Sequence, residues 1–138
     1  MTVTIKDIET ARQNLAETIQ PTQTMFSRST SDWLGTQVFL KYENEQMTGS
    51  FKMRGAYNKI LSLTPEEKSH GIVASSAGNH AQGVALSATR LGTRAHIVMP
   101  VTSPLIKIAA TQSYGAEVIL HGEFYDEAYT LARNLERD

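Results

Sequence analysis

The stretch Ile72-Val73-Ala74-Ser75-Ser76-Ala77-Gly78-Asn79-His80-Ala81-Gln82-Gly83 decides the fold. Ile72–Ser75 is short, apolar and β-prone, and small residues follow it. From Asn79 the apolar positions recur at helical spacing up to Leu91, where Gly92 stops the helix. A strand that feeds a helix through a small-residue turn is half of a βαβ unit. The same pattern then repeats. His96–Met99 reads as a strand ended by Pro100, and Pro104–Tyr114 as a helix with Ser103 as cap and Gly115 as stop. Glu117–Leu120 reads as a strand, and a helix runs from Asp126 onward. Strands alternating with helices across short loops predict right-handed crossovers and a parallel sheet with helices on both faces, an α/β fold.

Upstream the pattern is less regular. Residues 4–17 read as an amphipathic helix capped by Thr4. Gln20–Thr36 reads as an irregular polar segment holding the single tryptophan, Trp33, and Gln37–Glu43 as a strand. Phe51–Leu61 reads as a helix after a polar loop. Thr64-Pro65-Glu66-Glu67 has the form of a capping box with proline in the first turn.

Composition narrows the function. The 138 residues carry a net charge of −1 and no cysteine. The charge balance gives no footprint for nucleic acid or an anionic membrane. The missing cysteine removes thiolate metal sites, cysteine-ligated iron–sulfur clusters and a cysteine nucleophile. The four histidines show no paired metal-ligand spacing, so no metal site is expected. There is no apolar run of bilayer length and no apolar signal segment, which makes cytoplasm the expected compartment.

Two segments carry chemistry. The first is Thr48-Gly49-Ser50-Phe51-Lys52-Met53-Arg54-Gly55-Ala56. Apolar neighbours and the positive end of a helix both disfavour an ammonium ion, the condition under which a lysine serves as an amine nucleophile. The bland alternative is a surface lysine that snorkels. The second is Ser75–Gly83. Its helix start offers free N–H groups to an anion, at the carboxyl end of a parallel strand where open α/β sheets bind ligands. The alternative is a plain strand–helix turn. Gly78 and Gly83 have Walker-A spacing, but Val84-Ala85 follows instead of Lys-Ser/Thr. Neither G-x-G-x-x-G nor G-x-S-x-G occurs.

Together, Ser50-Phe51-Lys52-x-Arg54-Gly55-Ala56 and Ser76-Ala77-Gly78-Asn79-His80-Ala81-Gln82-Gly83 resemble the fold-type II pyridoxal-phosphate enzymes, within them the threonine/serine dehydratases, and most nearly the biodegradative ones. Arg90-Leu91-Gly92, Ile97-Val98-Met99-Pro100 and Tyr114-Gly115-Ala116-Glu117-Val118 are similar too, so the resemblance covers essentially the whole chain. It implies that Lys52 holds pyridoxal 5′-phosphate as a Schiff base and later moves the substrate's Cα proton. Phe51 would lie against the cofactor ring and Asn79 would hydrogen-bond its 3′ oxygen. The Ser76, Ala77, Gly78, Asn79 and His80 loop would bind the substrate carboxylate. The implied reaction takes L-threonine, and L-serine, to a 2-oxo acid and ammonia.

Serine racemases of the group carry a serine where this chain has Ala77, so elimination is expected over racemisation. The run of consecutive glycines that holds the cofactor phosphate in the family is absent here. The chain therefore reads as the N-terminal portion of a two-domain enzyme, with residues 1–48 from the edge of the large domain and 49–138 from most of the small one. The alternatives are a catalytically inactive truncated product or partner-binding module, or a serine racemase or other fold-type II enzyme. Relatives are dimers or tetramers, so a homo-oligomer acting on a small amino-acid substrate is expected.

Overall fold

A computed structural model describes residues 2–137. Its organising element is a three-stranded parallel sheet in the order β3 (Ile72–Ser75), β4 (Ala95–Met99), β5 (Glu117–Leu120). The register aligns Ala74 with Ile97 and Ile97 with Val118. The two-residue period of the central strand sorts its side chains onto two faces. Ala95, Ile97 and Met99 join Ala81, Val84, Ala85 and Ala88 of α5 (Asn79–Arg90) and Ile108 of α6 (Leu105–Ser113) in the main core. Val98 points the other way, into Ala128 and Ala132 of α7 (Tyr125–Leu135). Helices thus cover both faces, as the alternating pattern predicts.

The expected element boundaries hold closely in this half. Gly115 shows why one stop has to be glycine. Its φ is +93°, and a Cβ there would lie 2.5 Å from Thr89 Oγ1, which donates to the Tyr114 carbonyl. One expected cap is corrected. Ser103 does not cap α6: the helix opens after Pro104 with no side-chain cap, and the Ser103 hydroxyl is buried without a partner.

The N-terminal part holds α1 (Ile5–Leu15), β1 (Thr24–Phe26), α2 (Arg28–Leu34), β2 (Phe39–Lys41), α3 (Lys52–Leu61) and α4 (Pro65–His70). Thr4 caps α1 and Thr64 caps α4, each through a reciprocal box. The segment Gln20–Thr36 is not irregular. Ser27 caps α2 and Gly35 closes it in the left-handed conformation, while β1 pairs antiparallel with β2. The strand expected over Gln37–Glu43 shortens to its paired residues, because a two-stranded ribbon offers hydrogen bonds only opposite β1.

Two contacts fix α3. At Gly83 a Cβ would stand 3.1 Å from the Lys52 carbonyl carbon and 3.1 Å from the Met53 nitrogen, so α5 approaches the first turn of α3 backbone to backbone. On the other side Arg54 forks onto Glu43, with Nε and a terminal nitrogen each donating at 2.8 Å, and Thr22 Oγ1 donates to the same carboxylate at 2.7 Å. The Arg54 hydrogen bonds, helped by Thr22, outweigh partial desolvation and hold the Glu43 carboxyl at about 2. Below α3, Met53 packs with Leu15 and Ile19, which seats α1 on it.

Three substitutions test α3 and its anchors. Gly83→Ala lowers stability by about 1–3 kcal/mol in thermal or urea unfolding, because backbone has to give way. Gly55→Ala, on the exposed side of α3 with nothing within 4 Å of a new Cβ, raises it by about 0.5–1 kcal/mol. Glu43→Gln loses roughly 1–2 kcal/mol at neutral pH, a value discounted for solvent screening. The Glu43 contribution is present above its ordinary value of 4.5 and is lost as pH falls toward about 2. The stability difference between wild type and Glu43→Gln, followed by urea unfolding, therefore shrinks across that window.

Candidate functional site

The site is built where two helix starts meet. Lys52 is the first residue of α3 and Asn79 the first of α5. The Gly83 contact holds the two helices together at the Lys52 backbone, so two segments distant in sequence become one locus.

Around α5 the chain leaves β3 at Ser75 and turns through Ser76, Ala77 and Gly78, all half-buried. Gly78 is the cap residue with φ −143° and ψ −146°, and no side chain caps the helix. The N–H groups of the first turn therefore meet no side-chain acceptor from the cap position, and nothing lies within 4 Å of a Cβ at Gly78. Such a terminus attracts a carboxylate or phosphate. The Gly78 N–H lies 3.4 Å from the Ser76 hydroxyl, and the Ser75 hydroxyl beneath is buried without a partner.

His80 stands exposed on the first turn. Desolvation of its ring is the larger cause, and the nearby Lys52 ammonium the smaller, that lower its pKa from 6.5. The imidazole is thus neutral at physiological pH. Asn79 accepts a hydrogen bond from Lys107 Nζ of α6 at 3.3 Å. Lys107 carried no signal in the sequence, because the two residues sit at the starts of different crossover helices, 28 positions apart, and share no local pattern.

Lys52 departs from the sequence expectation in its surroundings. It is not enclosed among apolar side chains. Its side chain is exposed and its Nζ lies 5.0 Å from the centroid of the Phe51 ring, an arrangement that attracts a cation. Phe51 is itself 58% exposed, so an apolar ring lies open beside the amine. Arg54, two residues on, faces Glu43 and serves anchorage.

The donor set fits pyridoxal phosphate on three counts. A primary amine stands beside an open aromatic face, a carboxamide lies at the adjoining helix start, and the first-turn N–H groups there have no side-chain cap. Among the described residues no group of three or more His, Asp or Glu side chains is placed to hold a metal ion, and no helix is long and apolar enough to cross a membrane.

Comparison with known proteins agrees with this geometry. The chain is 49% identical over 134 residues to an L-threonine ammonia-lyase of Thermotoga maritima, matching 97% of this chain and 33% of that protein. It is 51% identical over 125 residues to a catabolic L-threonine dehydratase of Escherichia coli, matching 91% of this chain and 38% of the other. The chain thus spans a third to two-fifths of the length of these relatives. Among solved structures, maize serine racemase superposes with a TM-score of 0.92 at 34% identity, over 99% of this chain and 42% of that one. Isoform 2 of threonine deaminase from Solanum lycopersicum superposes with a TM-score of 0.85 at 37% identity, over 99% and 39%. The family model described as pyridoxal-phosphate dependent enzyme matches residues 15–138. With the fold, the lysine-bearing helix start and these matches in agreement, the chain belongs to the pyridoxal-phosphate-dependent enzyme family.

Proposed function

We propose that this chain is the lysine-bearing part of a pyridoxal-phosphate-dependent threonine dehydratase that takes L-threonine, and also L-serine, to the 2-oxo acid and ammonia. The observation that carries this reading is the meeting of Lys52 with the uncapped start of α5 at the Gly83 contact. Agreement with threonine ammonia-lyases at about half identity over nearly the whole chain supports it. On this reading residues 1–48 belong to the large domain and 49–138 to the small one, the enzyme is cytoplasmic, and it works as a dimer or tetramer.

When bound, the cofactor supplies the electron sink that makes the Cα proton of an amino acid removable. Lys52 would hold it through Nζ, and the same amine would serve to move that proton. The open Phe51 ring would face the cofactor ring, and Asn79 would donate to its 3′ oxygen. The first-turn N–H groups of α5, with Ser76, Ala77, Gly78 and the neutral His80, receive the substrate carboxylate. A neutral imidazole there accepts or donates without adding a second cation beside Lys52.

The likeness to a serine racemase favours a second reaction to be tested, racemisation. Ala77 has no group able to donate or accept a proton, which supports elimination.

Borohydride trapping checks the first assignment. After incubation of the whole enzyme with pyridoxal phosphate and reduction, peptide mass spectrometry should place the adduct on Lys52, and Lys52→Ala should abolish it; labelling spread over surface lysines would overturn the assignment. The whole enzyme should release 2-oxobutanoate from L-threonine and form no D-serine from L-serine, whereas D-serine accumulation would establish the racemase reading. In the free chain Lys52→Met should raise the His80 pKa measured by NMR part of the way back toward 6.5, because ring desolvation, the larger cause, persists.

A further inference from the structure

The Lys107–Asn79 contact links α6 to the site, and neither the motifs nor the comparisons assign Lys107 a role. Lys107 sits in the first turn of α6, a helix held from below by buried Ile108 and by Thr111, which is fully buried. The Thr111 hydroxyl donates to the Lys107 carbonyl at 2.9 Å. The Lys107 backbone is thereby fixed, and its half-buried stem leads Nζ to Asn79 Oδ1 at 3.3 Å.

The chemistry of the two groups makes this contact directional. A carboxamide presents an acceptor on one side and two donors on the other, and can turn over to exchange them. An ammonium has donors only. With Lys107 in place, the atom facing α6 has to be oxygen, and Nδ2 is turned to the opposite side. An isolated asparagine at a helix start has no such constraint, and its oxygen and nitrogen exchange places at little cost.

We propose that Lys107 is a positioning residue that fixes the polarity of the Asn79 carboxamide, so that Asn79 presents a hydrogen-bond donor to the site. This rests on the reading above in which Asn79 donates to the 3′ oxygen of the cofactor, and it deepens that reading. Lys107 decides that the site offers this oxygen a donor instead of a lone pair, and it places a positive charge behind that donor. An oxygen that carries negative charge is the partner such an arrangement selects. The sequence could not announce the pairing, because Lys107 lies 28 residues from Asn79 and follows a second strand.

Side-chain amide NMR of the full chain tests the positioning directly. In the wild type the two Asn79 Nδ2 protons should give separate, well-dispersed signals. Lys107→Met should move them toward the averaged positions of a solvent-exposed asparagine, while backbone signals of α5 and α6 stay in place. Lys107→Arg, which keeps a cationic donor at the position, should retain the dispersion. Asn79 signals that are the same in wild type and Lys107→Met would overturn the proposal, and so would loss of dispersion in both variants alike.

Titration of the whole enzyme with pyridoxal phosphate separates this inference from the one beneath it. Lys107→Met should weaken cofactor binding about three- to tenfold, the loss of one modest hydrogen bond, and Lys107→Arg should restore it. Asn79 signals that move in Lys107→Met, together with a cofactor affinity of the whole enzyme that is the same in wild type and Asn79→Ala, would uphold the positioning by Lys107 and refute the contact between Asn79 and the cofactor.

Discussion

The structure depends on one close approach. Gly83 lets α5 lie so close to the first turn of α3 that an added methyl group would stand 3.1 Å from the Lys52 carbonyl carbon and make backbone give way. Everything distinctive about the site depends on that contact. It joins the lysine at one helix start to the uncapped amides at another, and it brings the Lys52 charge close enough to bear on His80. The alanines at 81, 85 and 88 are all fully buried on another face of the helix, where they seat α5 in the main core with Ile97 and Met99 of β4. A larger residue at Gly83 would separate the two segments while leaving each one locally intact.

A second constraint works from the opposite side. Arg54 belongs to the same motif as Lys52, yet its side chain turns away from the site to fork onto Glu43. The motif therefore contains two kinds of residue, one presented to the site and one that pins the helix presenting it. The ion pair is anchored further by Thr22, so the segment before β1 also bears on the placement of α3. With Met53 seated on Leu15 and Ile19, α3 is held on three sides, and the exposed Lys52 stem is the free part of an otherwise fixed element.

Much of the fold was legible in the sequence because it is written in local terms. The strands Ile72–Ser75 and Glu117–Leu120, the capping boxes at Thr4 and Thr64, and the stop at Gly115 each depend on residues a few positions apart. The segment Gln20–Thr36 was harder. Ser27 and Gly35 mark the ends of α2, but the helix between them is polar and lacks an apolar stripe, and the three-residue strands exist only because they pair with each other. Ser103 illustrates the converse failure. A serine ahead of an apolar run has the form of a cap, yet its hydroxyl is buried elsewhere and the helix starts uncapped.

The sequence by itself determined the alternation of strand and helix, the two glycine-flanked segments that carry the chemistry, and the family resemblance they imply. These are properties of short runs, in which spacing and residue type decide backbone conformation. Tertiary structure alone decided that Lys52 lies open over Phe51 instead of enclosed, that Arg54 serves Glu43, and that Lys107 reaches Asn79. Each of those depends on where a side chain points after the helices have packed. That direction is set by the close approach of α5 to α3 and by the seating of α6 on the sheet, and no local pattern encodes it.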